Sequence, residues 1–511
     1  MREIIIKIII IFISGVLIIS CSCENRKEKW GKGIWVHPRD LGQNEKEVEE
    51  FFRELKKCSF TIVFPLVKGT GGKIFWHSEK FSEAIHPDYR DFDLLRAAAH
   101  YARKYKIKIH PWLCDFPEGK NSPAFRKHPE WAMLNPDGGY TDSEKLGGGR
   151  PYSPVWMCPA QRPGYADEWL IPMIEEIVSN YKVDGIHHDY VRYPGDVAPD
   201  SYCFCDYCLE HYLSYNHLYY PSRPDDRIEL KLVLPRKEAN WHYDLTSKPE
   251  NWASMSRREK AEFLLEGRTI NRQDMDYFFY ETRCDIITRF VREATERARL
   301  IKPEIEFSAA VFINPMRSGR NIGQRWTDFI PWIDFMIPMN YRSHFQGSFE
   351  DYLAYLKDYI KAQKRWCRGE SILYSGITGH YIYREEREPW EKAGKVLEND
   401  RMSDSQKQEF RQLMEKNIEY LSRFSSQRAG ELKGSFESYL EGSLDKKELR
   451  EKIRAVLSDP PEGFFPGEKL IRTIETVKKA GAEGVVIFSA GIITRNKLWP
   501  ALEKLALKEG F

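Results

Sequence analysis

Eight short apolar runs recur along this chain, and most are followed by a stretch in which apolar residues return at helical spacing. The runs are 33–37 (GIWVH), 61–66 (TIVFPL), 107–113 (IKIHPWL), 183–189 (VDGIHHD), 305–313 (IEFSAAVFI), 333–341 (IDFMIPMNY), 372–377 (ILYSGI) and 484–489 (GVVIFS). Between them lie amphipathic segments such as NEKEVEEFFRELKKC, DFDLLRAAAHYARKY, ADEWLIPMIEEIVSNY and GEKLIRTIETVKKAG. A strand reaches a parallel neighbour only through a crossover, usually a helix. Eight such units therefore predict an α/β fold, a (β/α)8 TIM barrel. The unit after Ile313 is the thinnest, with helical spacing only around 326–329.

A barrel of this type needs about 250 residues, and the chain has 511. Two large insertions take up the surplus, one after strand 4 at about 195–271 and one after strand 7 at about 383–464. The second is rich in Lys, Glu and Arg at helical spacing and reads as a solvated helical hairpin. With 78 basic and 76 acidic side chains the formal net charge is +2, which gives no basic excess and argues against a nucleic-acid partner.

The N-terminus reads as an export signal. Arg2 and Lys7 precede an apolar run that ends at Ile19, too short for a bilayer span, which needs about 20 residues. Ile18-Ile19-Ser20-Cys21 resembles the bacterial lipobox, so residues 1–20 are expected as a lipoprotein signal peptide, Cys21 as the lipidated residue, 21–30 as a tether and 31–511 as the barrel. The expected location is the cell envelope, anchored to a membrane by acyl chains. Ser22 is not the acidic residue associated with inner-membrane retention, so the outer membrane is favoured.

Barrel enzymes place their chemistry at the C-terminal ends of the strands. The first strand ends in His37-Pro38-Arg39-Asp40, the third in Trp112 with Asp115 and Glu118 beyond, and the fourth in His187-His188-Asp189-Tyr190 with Arg192 and Tyr193 following. The later strands contribute Asn314, Asn340, Tyr341, Arg342 and Ser489. Side chains alternate along a strand, so Gly185, His187 and Asp189 share one face. A glycine and two polar groups interrupt what should be a continuous apolar run and point to a site in the lumen. A carboxylate there costs several kcal/mol unless it is paired or used, so Asp189 is either functional or ion-paired with Arg192 or Arg39.

GIWVHPRDL, VDGIHHDYVRYP and WIDFMIPMNY preceded by Gln324-Arg325-Trp326 resemble, in that order, strand-end motifs of the glycoside-hydrolase-like family 10, a group of bacterial barrel proteins that are often lipoproteins. The resemblance runs from about Gly33 to the eighth strand and says little about the insertions. It implies a barrel that cleaves glycosidic bonds, with Asp189 on the family's strand-four aspartate, and for some members bacterial cell-wall glycan has been the proposed substrate. Most glycosidases need two carboxyl groups, roughly 5 to 5.5 Å apart for retention and about 6.5 to 9.5 Å for inversion. Asp189 is expected to be the ionised member, since His187, His188 and Arg192 nearby would favour its charge. The acid would come from Asp115, Glu118 or Asp40, with Asp115 first; for Asp115 and Glu118 a plain loop turn in DFPEG is the alternative.

Sugar rings require flat apolar platforms, which Trp112, Tyr190, Tyr193 and Tyr341 could supply. His37, Arg39, Asp40, His188, Arg192 and Asn340 complete the expected substrate contacts, unless they are satisfied supporting groups. No cofactor is expected for catalysis. Cys203-x-Cys205-x-x-Cys208-x-x-His211 carries the ligand types of a structural zinc, with Cys158 or Cys114 as a further candidate ligand and a disulfide plus free thiol as the alternative. Two other functions compete with glycoside hydrolysis. One is a catalytically silent, polysaccharide-binding lipoprotein. The other is a metal-dependent hydrolase using His37, His110, His187 or His188, and it is weakened because His187 and His188 point to opposite faces.

Overall fold

The computed structural model describes residues 30–143, 154–212, 249–265, 273–381, 383–399, 402–461, 464 and 467–508. The expected signal peptide, most of the tether and Cys21 lie outside the described residues, as does much of the first insertion. No described helix is long and apolar enough to cross a membrane.

All eight expected strands form. They are β1 Gly31–Val36, β2 Ile62–Lys68, a third stave split into β3 Lys108–Ile109 and β4 Trp112–Cys114, then, after a small antiparallel pair β5 Pro117–Glu118 and β6 Val155–Trp156, the staves β7 Gly185–Asp189, β8 Glu306–Val311, β9 Phe335–Pro338, β10 Ile372–Thr378 and β11 Gly484–Phe488. Each stave pairs in parallel with the next, and β1 pairs with both β2 and β11, which closes the barrel. The third stave breaks at His110-Pro111 because proline brings no ladder N–H. The ladder continues across the break through the Pro111 carbonyl, which accepts from the His187 N–H at 2.9 Å.

The crossover helices bury one stripe each and carry ordinary caps: Asn44 accepts from the Glu47 N–H at the start of Glu45–Lys57, and Asp93 from the Arg96 N–H at the start of Leu94–Tyr105. After β8 the chain forms the expected short helix Trp326–Phe329 and a second, Pro315–Ile322, whose apolar signal is weak because Asn314 and a proline define it through its cap.

Two cores result. One lies between staves and helices; the other fills the lumen with Trp35, Phe64, Trp112, Phe335, Ile337 and Val486. Threaded through the lumen is a directional chain of hydrogen bonds. Trp35 Nε1–H donates to His187 Nε2 at 2.9 Å, His187 Nδ1 meets Ser308 Oγ at 2.9 Å, Ser308 Oγ meets His110 Nδ1 at 3.1 Å, and His110 Nε2 meets Glu306 at 3.2 Å. Gly185 makes room for it, since a Cβ there would lie 2.4 Å from the His110 ring. His110 and His187 are thus engaged below the mouth.

The second insertion departs from a solvated hairpin. It forms four principal helices, Glu388–Val396, Asp404–Ser422, Ser426–Leu440 and Lys446–Ser458, around an apolar core of its own that includes Trp390, Phe410, Met414, Phe436, Ile453 and Phe464. The charged residues that dominate its composition occupy the outer faces, while one apolar stripe per helix turns inward.

Candidate active site

Asp189 ends β7 with its side chain toward the lumen mouth and 9% of the residue exposed. Both carboxylate oxygens are engaged: Trp112 Nε1–H donates to Oδ2 at 3.1 Å and the Tyr190 N–H donates to Oδ1 at 2.7 Å. Tyr190 itself adopts φ +54°, a left-handed conformation that costs a non-glycine residue of the order of 1 kcal/mol, and turns the chain sharply after the strand. Neither expected ion pair forms. Arg39 is exposed and pairs with Asp88 at 3.2 Å, and Arg192 makes no contact with Asp189 short enough to be an ion pair. The Arg192 guanidinium instead sits among the rings of Tyr190, Phe312 and Trp156, at 4.8, 4.9 and 5.1 Å, and donates to the Tyr193 carbonyl.

The electrostatics differ from the sequence expectation. Burial raises the Asp189 carboxyl to about 6, against the opposing pull of Arg192, the Tyr190 N–H and Trp112. Two of the three cations expected to favour its charge do not act that way. Burial, with His110 and His188 adding to it, holds His187 well below its ordinary range, and His188 faces the other side of the strand. Desolvation therefore decides the direction.

Around Asp189 the mouth is largely aromatic. The His37 ring lies 5.3 Å from that of Trp112, Tyr341 stacks on Phe488 at 5.7 Å, and Trp156 meets Tyr190 at 5.8 Å. Asp189 is among the groups that push the Tyr341 hydroxyl upward, after burial itself. His37 is lowered, chiefly by burial and against the charge of Asp40, which sets Asp40 on the His37 side of the rim, where it is exposed. His37, Trp112, Arg192 and Tyr341 thus gather around Asp189, while Asp40 stands beside Gly491 and Arg39 turns out toward Asp88. Phe488 and Trp156 were not singled out from the sequence. Phe488 sits on the lumen parity of its strand, which is a legible signal, whereas Trp156 arrives on a two-residue strand without periodicity.

Besides Arg39, four of the expected site residues face elsewhere, and Asn340 is held below the surface. Asp115 and Glu118 are 0% exposed. Trp112 and Cys114 take the lumen face of β4, so Asp115 turns outward, where its Oδ2 meets His188 Nδ1 at 2.8 Å. His188 packs there against Phe307 and Phe290. Glu118 pairs with Lys68 at 3.0 Å, accepts from the Tyr165 hydroxyl at 2.7 Å and abuts Gly72, where a Cβ would meet it at 1.8 Å. Tyr193 is fully buried beneath the Arg283 guanidinium, 4.3 Å away. Asn340 is also fully buried. Its amide donates to Gln363 and Ser375, both at 3.0 Å, and its carbonyl accepts from Gln363 at 2.9 Å, which leaves little of it for a substrate.

The cysteine-rich loop converges differently from its spacing. Cys203, Cys205 and Cys208 come together with Cys158, each offering a sulfur within 4.8 Å of the others, and all four are buried. His211 stands apart from them, with Nδ1 on the Tyr207 carbonyl at 3.1 Å and its ring stacked on Tyr207. Among the described residues this is the sole grouping of His, Cys, Asp and Glu able to hold a metal. His110 and His187 meet only on Ser308, below the mouth, and His37 and His188 join neither of them, which removes the support for a metal-dependent hydrolase.

A family model, glycosyl hydrolase-like 10, matches residues 32–387, from the first stave through the seventh and up to the helical insertion. None of the curated proteins matches the chain. Among solved structures, the PgaB (BpsB) glycoside hydrolase domain from Bordetella bronchiseptica is similar over 94% of this chain and 99% of its own, at TM-score 0.54 and 10% identity. The beta-galactosidase from Rahnella sp. R3 is similar over 94% of this chain and 57% of its own, at TM-score 0.49 and 11% identity. At 10% identity the likeness to the Bordetella domain is one of fold.

Proposed function

This chain belongs to the glycosyl hydrolase-like 10 family, and from that premise we propose that it hydrolyses O-glycosidic bonds of a polysaccharide, with Asp189 as the group that transfers the proton. The observation that carries the proposal is the state of Asp189: a carboxyl at the barrel mouth, without an ion-pair partner, fixed by two N–H donors and raised by burial to about 6. A carboxyl so placed keeps its proton up to about pH 6, well above the ordinary carboxyl range, and can give it to a leaving glycosidic oxygen. Trp112, Tyr190, Tyr341 and Phe488 supply apolar faces for sugar rings, and His37 and Asp40 supply polar groups at the rim. With Asp115 turned to the outer layer and Glu118 buried against Lys68 and Tyr165, the attacking group is water or part of the substrate rather than either of these. Peptidoglycan glycan strands are the first substrate to test, on an envelope protein anchored through Cys21.

The burial of Asp115 and Glu118 away from Asp189 favours one second reading, a barrel that binds polysaccharide without turnover. Release of reducing ends from a panel of glycans, including peptidoglycan strands with and without peptides, separates the two. Turnover by the wild-type chain and its loss in a folded Asp189→Asn variant support the hydrolase. Tight binding without release by the wild type establishes the binding protein and makes Asp189 a ligand contact.

A further inference from the structure

The four cysteines come from two separate loops. Cys158 lies two residues beyond β6 in the long connection after β4, and Cys203, Cys205 and Cys208 follow β7 and lead into the helix Asp206–Tyr212. A tetrahedral zinc with Zn–S bonds of about 2.3 Å sets its sulfurs about 3.8 Å apart. Here Cys158 Sγ lies 3.5 Å from Cys208 Sγ and 3.8 Å from Cys205 Sγ, and all four sulfurs fall within 4.8 Å of one another. A disulfide would require about 2.05 Å, and all four cysteines are free. Gln161 Nε2–H donates to Cys205 Sγ at 3.5 Å, the kind of outer contact that orients a metal-binding sulfur.

We propose that Cys158, Cys203, Cys205 and Cys208 bind one structural zinc ion, and that His211 is not a ligand. Four thiolates close the coordination sphere and leave no position for water or substrate, so the ion has no part in bond cleavage. Its effect is mechanical. It ties the connection that carries Trp156 to the loop that carries Tyr190 and Arg192, and these are the residues that form the stacked wall beside Asp189. The metal holds two sides of the mouth in one register.

The test uses the chain purified without chelator. Elemental analysis is expected to find one zinc per chain, retained through gel filtration, and His211→Ala is expected to retain it. Cys158→Ser is expected to lose it and to lower the midpoint of thermal unfolding by about 5 °C or more. If Cys158→Ser does not fold, cobalt(II) replacement in the wild type decides: visible bands of a tetrahedral site with thiolate-to-metal charge transfer support four sulfur ligands. The assignment is overturned if the wild type carries no zinc and mass mapping finds a disulfide among the four. It is also overturned if the bound metal is iron, if His211→Ala removes the metal, or if stripping the metal leaves the melting temperature unchanged.

Discussion

Asp189→Asn tests the electrostatics of the mouth separately from its chemistry. Asp189 moves from an ordinary value of 3.8 to about 6 through burial, and at about 1.4 kcal/mol per pH unit the ionised carboxylate costs the native state about 3 kcal/mol. A raised native value means that the folded chain binds the proton more tightly than the unfolded one. This contribution is therefore absent below about pH 4, grows as pH rises through about 6 and is then constant. Asparagine carries no charge to desolvate, but its amide must turn an N–H toward either Trp112 Nε1 or the Tyr190 N–H, losing one acceptor at a cost of about 1 to 3 kcal/mol. The variant should thus be less stable than the wild type at pH 4 and equal or more stable at pH 7, the difference moving by about 2 to 3 kcal/mol. Urea unfolding of both proteins at the two pH values measures it. Parallel behaviour, or a variant that loses ground as pH rises, would refute the reasoning and show that Arg192 and the two N–H donors outweigh burial. The same variant should lose at least about a hundredfold in turnover.

Three further outcomes follow from the same contacts. As a proton donor Asp189 should give a kcat/KM that falls above about pH 6, and Trp112→Phe, by deleting the donor to Oδ2, should move that limb upward by about 1 pH unit; a rate that instead rises through pH 6 would make Asp189 the base. Asn340→Ala should cost about 2 to 3 kcal/mol in denaturant unfolding by stranding Gln363 and Ser375, with kcat/KM of the folded enzyme unchanged, and a selective rise in KM would return Asn340 to the substrate. His188→Leu should cost about 3 to 5 kcal/mol at pH 7 by leaving the buried Asp115 carboxyl without its partner, and a second change, Asp115→Leu, should recover most of that loss; no recovery would mean that the pair is not what the first change disrupts.

What was legible in the sequence divides along one physical line, between groups placed by a period and groups placed by a loop. The eight staves were visible because each is a short apolar run between turn signals, and the lumen side of β7 because parity puts Gly185, His187 and Asp189 together. The helical insertion was only half legible, since its stripes of Trp390, Phe410, Met414 and Phe436 are diluted by charge and become a core only when four helices close on one another. The cysteine cluster was half legible for a different reason. His211 is near in sequence, but its ring goes onto Tyr207, while Cys158, one of two candidates for a further ligand, lies 45 residues upstream of Cys203, where no local spacing could choose it over Cys114.

Asp115 and Glu118 are the instructive cases, because the signal that places Asp115 was present. The parity that assigns Asp189 to the lumen applies equally to the third stave, where Trp112 and Cys114 alternate inward and Asp115 must then turn out. The N–H of Asp115 does reach the Asp189 carbonyl, at 2.8 Å, so the two residues are neighbours along the ladder and yet occupy opposite faces of the sheet. Standing at the C-terminal end of a strand is thus a necessary condition for a catalytic group in a barrel, and parity is the second condition. Glu118 lies four residues beyond the stave, in the β5–β6 pair, where parity no longer refers to the barrel; its burial against Lys68 and Tyr165 is a matter of loop geometry. Asp189 meets both conditions through its own strand, whereas Trp156 and Arg192 in the aromatic wall beside it come from the two loops on which the four cysteines meet.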